Sequence, residues 1–262
     1  ETDSPDRFLV AGRGELHLGV LIEQMRREGY ELQVSQPEVI LHSENGVLTE
    51  PYEELTIDVP AEYQGAVIEE VGQRRGELRH MKLIHSEGNA SEMHLEYYIP
   101  TRGVIGLKNF LLAKTRGTVI MHHVFQRYEP ADKRALVMAP HGSLVACEDG
   151  TSNAYGLFMI QERGSLFIGP GVEVYQGMVV GENSRDEDLD VNICKAKHLS
   201  NMRASGSDEA LTLTPPRQMP LEFALEYLGS DELVEVTPTS LRIRKRLLNP
   251  EDRRKARKDR RL

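Results

Sequence analysis

The sequence predicts an α+β fold: ferredoxin-like α/β sandwiches, the first one partial, followed by a β-rich, barrel-like C-terminal domain. Three observations predict it. Residues 52–129 carry strand and helix patterns in the order βαββαβ, which suits an antiparallel sheet with two helices on one face. Residues 7–48 show only half of such a unit. Beyond Pro130 the helical period gives way to short apolar runs separated by turn residues. The expected segments are 1–48, 49–129 and 130–262.

Taken in order, Arg7-Phe8-Leu9-Val10 is expected to be a short extended run ending at Gly12 and Gly14. A helix follows over about residues 15–28, because Leu18, Ile22 and Met25 recur at helical spacing and Gly29 stands where a left-handed cap belongs. Glu31-Leu32-Gln33-Val34 then alternates as a strand before Pro37. In the complete unit, Leu55, Ile57 and Val59 mark a strand, and Val67 and Val71 mark a helix that Gly76 stops. Residues 78–84 give a second strand. Met93, Leu95, Tyr97 and Ile99 give a third, closed by Pro100. Val104, Leu107 and Leu111 mark a helix ending near Gly117, and residues 118–125 form the last strand. In the final segment, strands are expected at 136–138, 144–146, 157–160, 166–168 and 178–180. A helix over 220–228 has Pro220 in its first turn and Gly229 after its end. Residues 241–248 read as a strand. Asn249 then caps a short basic helix with Glu251 and Asp252 in its first turn.

The chain has 262 residues, 39% of them hydrophobic and 28% charged, enough to bury a core in roughly two domains. Two cysteines, Cys147 and Cys194, make no disulfide framework, and no CxxC spacing exists for zinc, so a reducing cytoplasm is the expected location. No apolar run is long enough for a bilayer, the start Glu1-Thr2-Asp3-Ser4 is no signal peptide, and no membrane partner is expected. The absence of a first Met is expected of a processed or partial chain. The net charge of −9 is uneven. From Arg242 to Leu262 eleven Lys/Arg face three acids, a net +8 that leaves −17 on the remainder. A basic tail on an acidic body can neutralise phosphates, or it can simply solubilise.

No local catalytic motif is present: neither GxxxxGK[ST], GxSxG, HExxH nor GxGxxG occurs. His122 and His123 are adjacent on a strand and point to opposite faces, so they cannot chelate one ion together. His85 and His94 each precede a glutamate by two residues, but the PCxxC that accompanies HxE in zinc deaminases is missing. Cys147 lies in an apolar run without a basic neighbour and reads as an inert thiol. No catalytic residue and no metal ligand is therefore assigned. The sheet strands show no aromatic pattern for base stacking. The unusual segment is 195–207, which holds Lys195, Lys197 and Arg203 without an acid among small and hydrogen-bonding residues. Long loops of this kind are functional or solvated. Its cations suit phosphates, and its Asn, Ser and His suit sugar or base edges of irregular RNA.

Several motifs carry a resemblance. Residues 11–18, Ala-Gly-Arg-Gly-Glu-Leu-His-Leu, resemble the GELHL run of domain III in translational GTPases of the elongation factor G kind. Residues 99–106, Ile-Pro-Thr-Arg-Gly-Val-Ile-Gly, resemble a stretch of their domain V. Residues 161–169, Gln-Glu-Arg-Gly-Ser-Leu-Phe-Ile-Gly, resemble a signature of one subfamily, and residues 201–206 and 232–238 follow in the same order. Together they resemble the C-terminal part of the BipA/TypA family of ribosome-associated GTPases. The resemblance implies a partial domain III over 1–48, a domain V over 49–129 and the family-specific C-terminal domain over 130–262. It also implies that the GTP-binding domain, with GTP and Mg, precedes Glu1, so that this chain is not itself an enzyme and holds no cofactor. The implied partners are the 70S ribosome, the 50S subunit, rRNA and A-site tRNA. The implied contacts are Lys195, Lys197, His198, Asn201, Arg203 and Ser205, on a monomer linked to 50S assembly and stress-responsive translation. A different class of function, a protein-interaction scaffold with a solubilising basic tail, predicts no RNA binding at any salt. A stand-alone enzyme would need a titratable cluster that the sequence does not offer.

Overall fold

A computed structural model describes residues 6–85, 91–132, 142–196 and 212–259. In chain order its elements begin with α1 (Glu15–Arg27), β1 (Leu32–Ser35), β2 (His42–Glu44), β3 (Val47–Pro60), α2 (Gln64–Gln73), β4 (Glu77–His85), β5 (Ser91–Pro100), α3 (Thr101–Val104), α4 (Leu107–Lys114) and β6 (Ile120–Pro130). They continue with β7 (Ser143–Ala146), β8 (Gly150–Thr151), α5 (Ala154–Ile160), β9 (Gly164–Leu166), β10 (Glu173–Val174), β11 (Met178–Asn183), β12 (Leu189–Val191), α6 (Leu221–Tyr227), β13 (Glu232–Val236), β14 (Leu241–Lys245) and α7 (Pro250–Asp259). The chain divides into two compact units, residues 37–139 and residues 1–36 with 140–262. The segment 1–48, set out above as one partial domain, is thereby divided: residues 1–36 group with the C-terminal part and 37–48 with the ferredoxin-like unit.

In the ferredoxin-like unit the antiparallel strands run β4-β5-β3-β6, with β2 paired to the start of β3. The pleat alternates as the sequence required. Leu55, Ile57 and Val59 face Tyr97, Leu95 and Met93 across the β3–β5 ladder, and all six are buried against Val67, Val71, Leu107 and Leu111 of the helices. Arg74 closes α2: its guanidinium meets Glu70 at 2.7 Å and donates to the carbonyls of Gly103 and Ile105. The expected helix over 104–111 is split by Gly106, whose φ of +68° starts α4 afresh. β3 also begins earlier than its apolar alternation shows. Asn45 and Gly46, both with positive φ, turn β2 back onto it.

In the other unit the strands run β1-β13-β14-β11-β7-β12, with β9 also on β11, and β12 and β7 are parallel. These seven strands form an open sheet among the described residues, with β1 and β12 at its ends, rather than a closed barrel. Leu32 and Val34 of β1 lie opposite Val236 and Val234 of β13. Above them Ile22 of α1 shares a core with Leu221, Ala224 and Leu225 of α6. Gly29 ends α1 with φ +93°, its N–H donating to Arg26 and that of Tyr30 to Met25, as expected of a left-handed cap.

Three expectations are corrected. Residues 7–10 form no strand: Phe8 and Leu9 are 83% and 90% exposed and have no ladder partner among the described residues. Residues 157–160 belong to helix α5, because the Asn153 side chain accepts from the Tyr155 N–H and caps a turn there. A short apolar run alone does not separate buried strand from buried helix. The final strand stops at Lys245 rather than Leu248, since Leu247 and Leu248 carry the chain into α7. The run 136–138 lies outside the described residues.

Candidate nucleic-acid interface

Of the six residues expected to contact RNA, Lys195 is described and exposed, two positions beyond the buried Ile193. Lys197, His198, Asn201, Arg203 and Ser205 lie outside the described residues. The two ends of this segment are built firmly. On one side Ile193 accepts the Asn153 N–H and the Asn192 side chain accepts the Cys194 N–H. On the other, Gln161 donates to the Thr212 carbonyl and accepts from the Thr214 N–H, while Leu213 packs on the core around Leu157 and Leu166. Gln161, the first residue of the 161–169 motif, thus fixes the point where the chain returns.

The basic end of the chain is folded as far as Asp259, and acids of the body meet much of its charge. Lys245 on β14 is 3% exposed and lies 2.9 Å from Glu232, 2.8 Å from Asp188 and 3.2 Å from Asp231. Burial alone would pull its pKa down, and the three carboxylates more than offset that and raise it. Burial likewise works against the Asp188 carboxylate, but Lys245, the Ser143 N–H and Arg257 hold it below the ordinary value. Glu232 in turn accepts from the Ser143 hydroxyl at 2.6 Å and the Gly229 N–H at 2.8 Å. Arg244 pairs with Glu235 at 2.9 Å. Asn249 caps α7 as expected, accepting the Glu251 N–H at 2.8 Å. On α7, Arg253 pairs with Asp190 and Arg257 with Asp188. Among the described residues, the exposed positive charge at this end lies on Arg246, Arg254, Lys255 and Lys258, with Arg257 half-exposed beside Asp188.

Two histidines of the ferredoxin-like unit are engaged in structure. His94 bridges Asp58 at 2.6 Å and Glu96 at 3.2 Å on the outer sheet face, and the Asp58 hydrogen bond raises its pKa. His123 pairs with Glu53. Burial, with Glu148 beside it, pushes the Cys147 thiol up, away from the thiolate that a nucleophile needs. A cleft of about 390 Å³ is lined by Glu162, Arg163, Asn183, Arg185, Glu187 and Asp188, of which Asp188 is committed to Lys245 and Arg257. No group of three or more His, Cys, Asp or Glu positioned to hold a metal ion occurs among the described residues. No helix among them is long and apolar enough to cross a membrane.

Two comparisons bear on this arrangement. Residues 141–250 match the model of the TypA/BipA C-terminal domain, and residues 47–137 match that of the elongation factor G C-terminus. The large ribosomal subunit assembly factor BipA of Escherichia coli K12 is 47% identical over 256 residues, 98% of this chain. The chain belongs to the TypA/BipA family. The proteins of the same name from Bacillus subtilis and Haemophilus influenzae are each 48% identical, again over 98% of this chain. The chain spans about two fifths of the length of these curated relatives, 42% of the first and 41% of the other two.

In TypA/BipA terms, the elongation factor G match coincides with the ferredoxin-like unit, and the TypA/BipA-specific match runs from the start of β7 to the first residue of α7. One feature of the former unit escaped sequence reasoning. Tyr52 and Tyr98, on the two central strands, stack at 4.9 Å on the outer sheet face, with Arg79 and Arg127 at 5.2 and 5.4 Å from the Tyr98 ring. Their spacing in the sequence, 46 positions apart, carries no local signal. Tyr98 donates to Glu129, which also binds Arg127. Tyr52 and the two guanidiniums thus already pack on the Tyr98 ring.

Proposed function

We propose that this chain is the ribosome-binding part of a TypA/BipA translational GTPase, supplying affinity and placement on the large subunit and no bond-making chemistry of its own. The observation that carries this reading is the 47% identity, along 98% of the chain, to a protein named for large ribosomal subunit assembly. Lys195, at the start of the basic segment 195–207, supports it, as does the exposed charge of α7. The contacts are rRNA and A-site tRNA, made by Lys195, Lys197, His198, Asn201, Arg203 and Ser205. The protein acts as a cytoplasmic monomer in 50S assembly and stress-responsive translation, on 50S and 70S particles. GTP and Mg belong outside these residues: the sequence has no phosphate-cradling GxxxxGK[ST] run, and no side chain of this chain is assigned to either.

Co-sedimentation with 50S subunits and 70S ribosomes across a salt series tests this. Binding should weaken steeply with salt, and the double variant Lys197→Ala/Arg203→Ala should bind more weakly with a shallower salt dependence. Absence of binding by the unaltered chain at every salt would overturn the reading in favour of a protein-interaction scaffold. Unchanged affinity of the double variant would remove segment 195–207 from the interface.

A further inference from the structure

The basic residues of α7 are sorted by face. At 100° per residue, Arg253 and Arg257 fall on one side of the helix, and Arg254, Lys255 and Lys258 on the other. The inner pair is committed. The Arg253 side chain is 6% exposed, pairs with Asp190 and donates to the carbonyls of Leu247 and Leu248, which links β12, the exit of β14 and α7 at one point. Arg257 reaches Asp188, the same carboxylate that meets buried Lys245. The outer three stand at the surface: Arg254 is 69% exposed with one edge 3.6 Å from Asp190, Lys255 is 73% exposed with Asp252 at 3.9 Å, and Arg254 and Lys258 lie about 6 Å apart along the helix axis.

A helix of ten residues with Ala256 as its one apolar residue after Pro250 does not persist in water by itself. Ion pairs to Asp190 and Asp188 hold it in place, and they do so at a fixed orientation. Solubility needs no such fixing, since a loose basic tail serves it equally well. A row of cations held rigid at set spacing is what an RNA backbone recognises, because the ordering of those side chains' support is completed before binding.

We propose that α7 is a pre-positioned RNA-backbone contact: Asp190 and Asp188 orient the helix through Arg253 and Arg257, and Arg254, Lys255 and Lys258 meet the phosphates. This rests on the ribosome-binding reading and adds a second contact to the segment 195–207. Asp190 is a positioning residue, and its role has an unusual sign. Replacing it with Asn raises the net charge of the protein by one, which by charge alone strengthens binding to RNA. With α7 released from its orientation, affinity falls instead.

The test uses the full 262-residue chain with purified 50S subunits across a salt series, beside Arg254→Ala/Lys255→Ala/Lys258→Ala and Asp190→Asn. Circular dichroism confirms that each is folded, and amide hydrogen exchange reports on α7. The triple variant should show a plot of log affinity against log salt shallower by about 2, from three lost phosphate contacts at roughly 0.7 each. Asp190→Asn should bind more weakly than the unaltered chain, with faster exchange confined to α7. If the unaltered chain binds but the triple variant keeps its affinity and salt slope, α7 is not a contact, and ribosome binding stands without it. Tighter binding by Asp190→Asn also overturns the proposal, because the acids would then be withholding the helix. If the unaltered chain fails to bind at any salt, the ribosome-binding reading fails and this proposal falls with it.

Discussion

Replacing Lys245 with Ala removes a buried charge that meets three carboxylates. Its ammonium lies within 3.2 Å of Glu232, Asp188 and Asp231, and both it and Glu232 are almost wholly out of solvent. Removing one partner of a buried pair strands the others, at a typical loss of about 3–5 kcal/mol. Glu232 keeps its bonds from Ser143 and Gly229, and Asp188 keeps Arg257, so the lower end of that range, about 3 kcal/mol, is expected. For a unit of this size that corresponds to a fall in melting temperature of roughly 6–12 °C. The assay is urea and thermal unfolding followed by tyrosine fluorescence, since the chain has nine Tyr and no Trp. The pH dependence has a definite sign. The folded pKa of Asp188 is depressed, so its contribution is present above the ordinary carboxylate value and is lost as pH falls through the folded one. In the variant the stranded carboxylates gain by protonation, so the deficit should narrow as pH drops from 7 toward 4. The folded pKa of Lys245 is raised, so its contribution persists below the ordinary lysine value and disappears as pH rises through the folded one. A deficit below about 1 kcal/mol at neutral pH, or one that does not change with pH, would refute the reasoning.

Three further outcomes are expected. Gly46→Ala, at φ +80° in the β2–β3 turn, should cost about 1 kcal/mol by urea unfolding, while Gly65→Ala, with open space around it on α2, should not destabilise. Gly103→Ala would place its Cβ 2.6 Å from the Arg74 carbonyl oxygen and 3.1 Å from Ile99, so a loss of about 2 kcal/mol or more is expected in the same assay. Asp58→Asn should lower the His94 pKa toward the ordinary histidine value in an NMR titration; an unmoved value would show that the Asp58 hydrogen bond does not set it.

Much of the ferredoxin-like unit is written locally. Leu55, Ile57, Val59, Met93, Leu95 and Tyr97 alternate because one face of each strand is buried, and the period alone places them. The β2–β3 hairpin was equally local in Asn45-Gly46, a turn signal that alternation of apolar residues does not reveal. At 157–160 the apolar run suits strand and helix alike, and the decision lies one step upstream in the Asn153 cap. The commitment of the basic end is not legible in the chain itself. Asp188 and Asp190 stand more than sixty positions from Arg253 and Arg257, and only the fold brings them together. Charge counting gave the end its +8, but not the division between cations that hold α7 and cations that face solvent. At the candidate interface, Lys195 is exposed, while the other five residues lie outside the described segments.

The ladder between β1 and β13 joins residues about two hundred positions apart, with the whole ferredoxin-like unit inserted between them. On a translating ribosome at about 5–20 residues per second, β1 and α1 emerge roughly 10–40 seconds before their partner strand exists. During that time the inserted unit, whose strands are all in hand by Pro130, has everything it needs to fold. Its closure brings its two chain ends to fixed positions and shortens the loop that β13 must later close. Ile22, Leu32 and Val34 wait with their apolar faces uncovered until the last forty residues are made. Synthesis thus sets an order in which the middle of the chain matures first and its two ends are sealed together last.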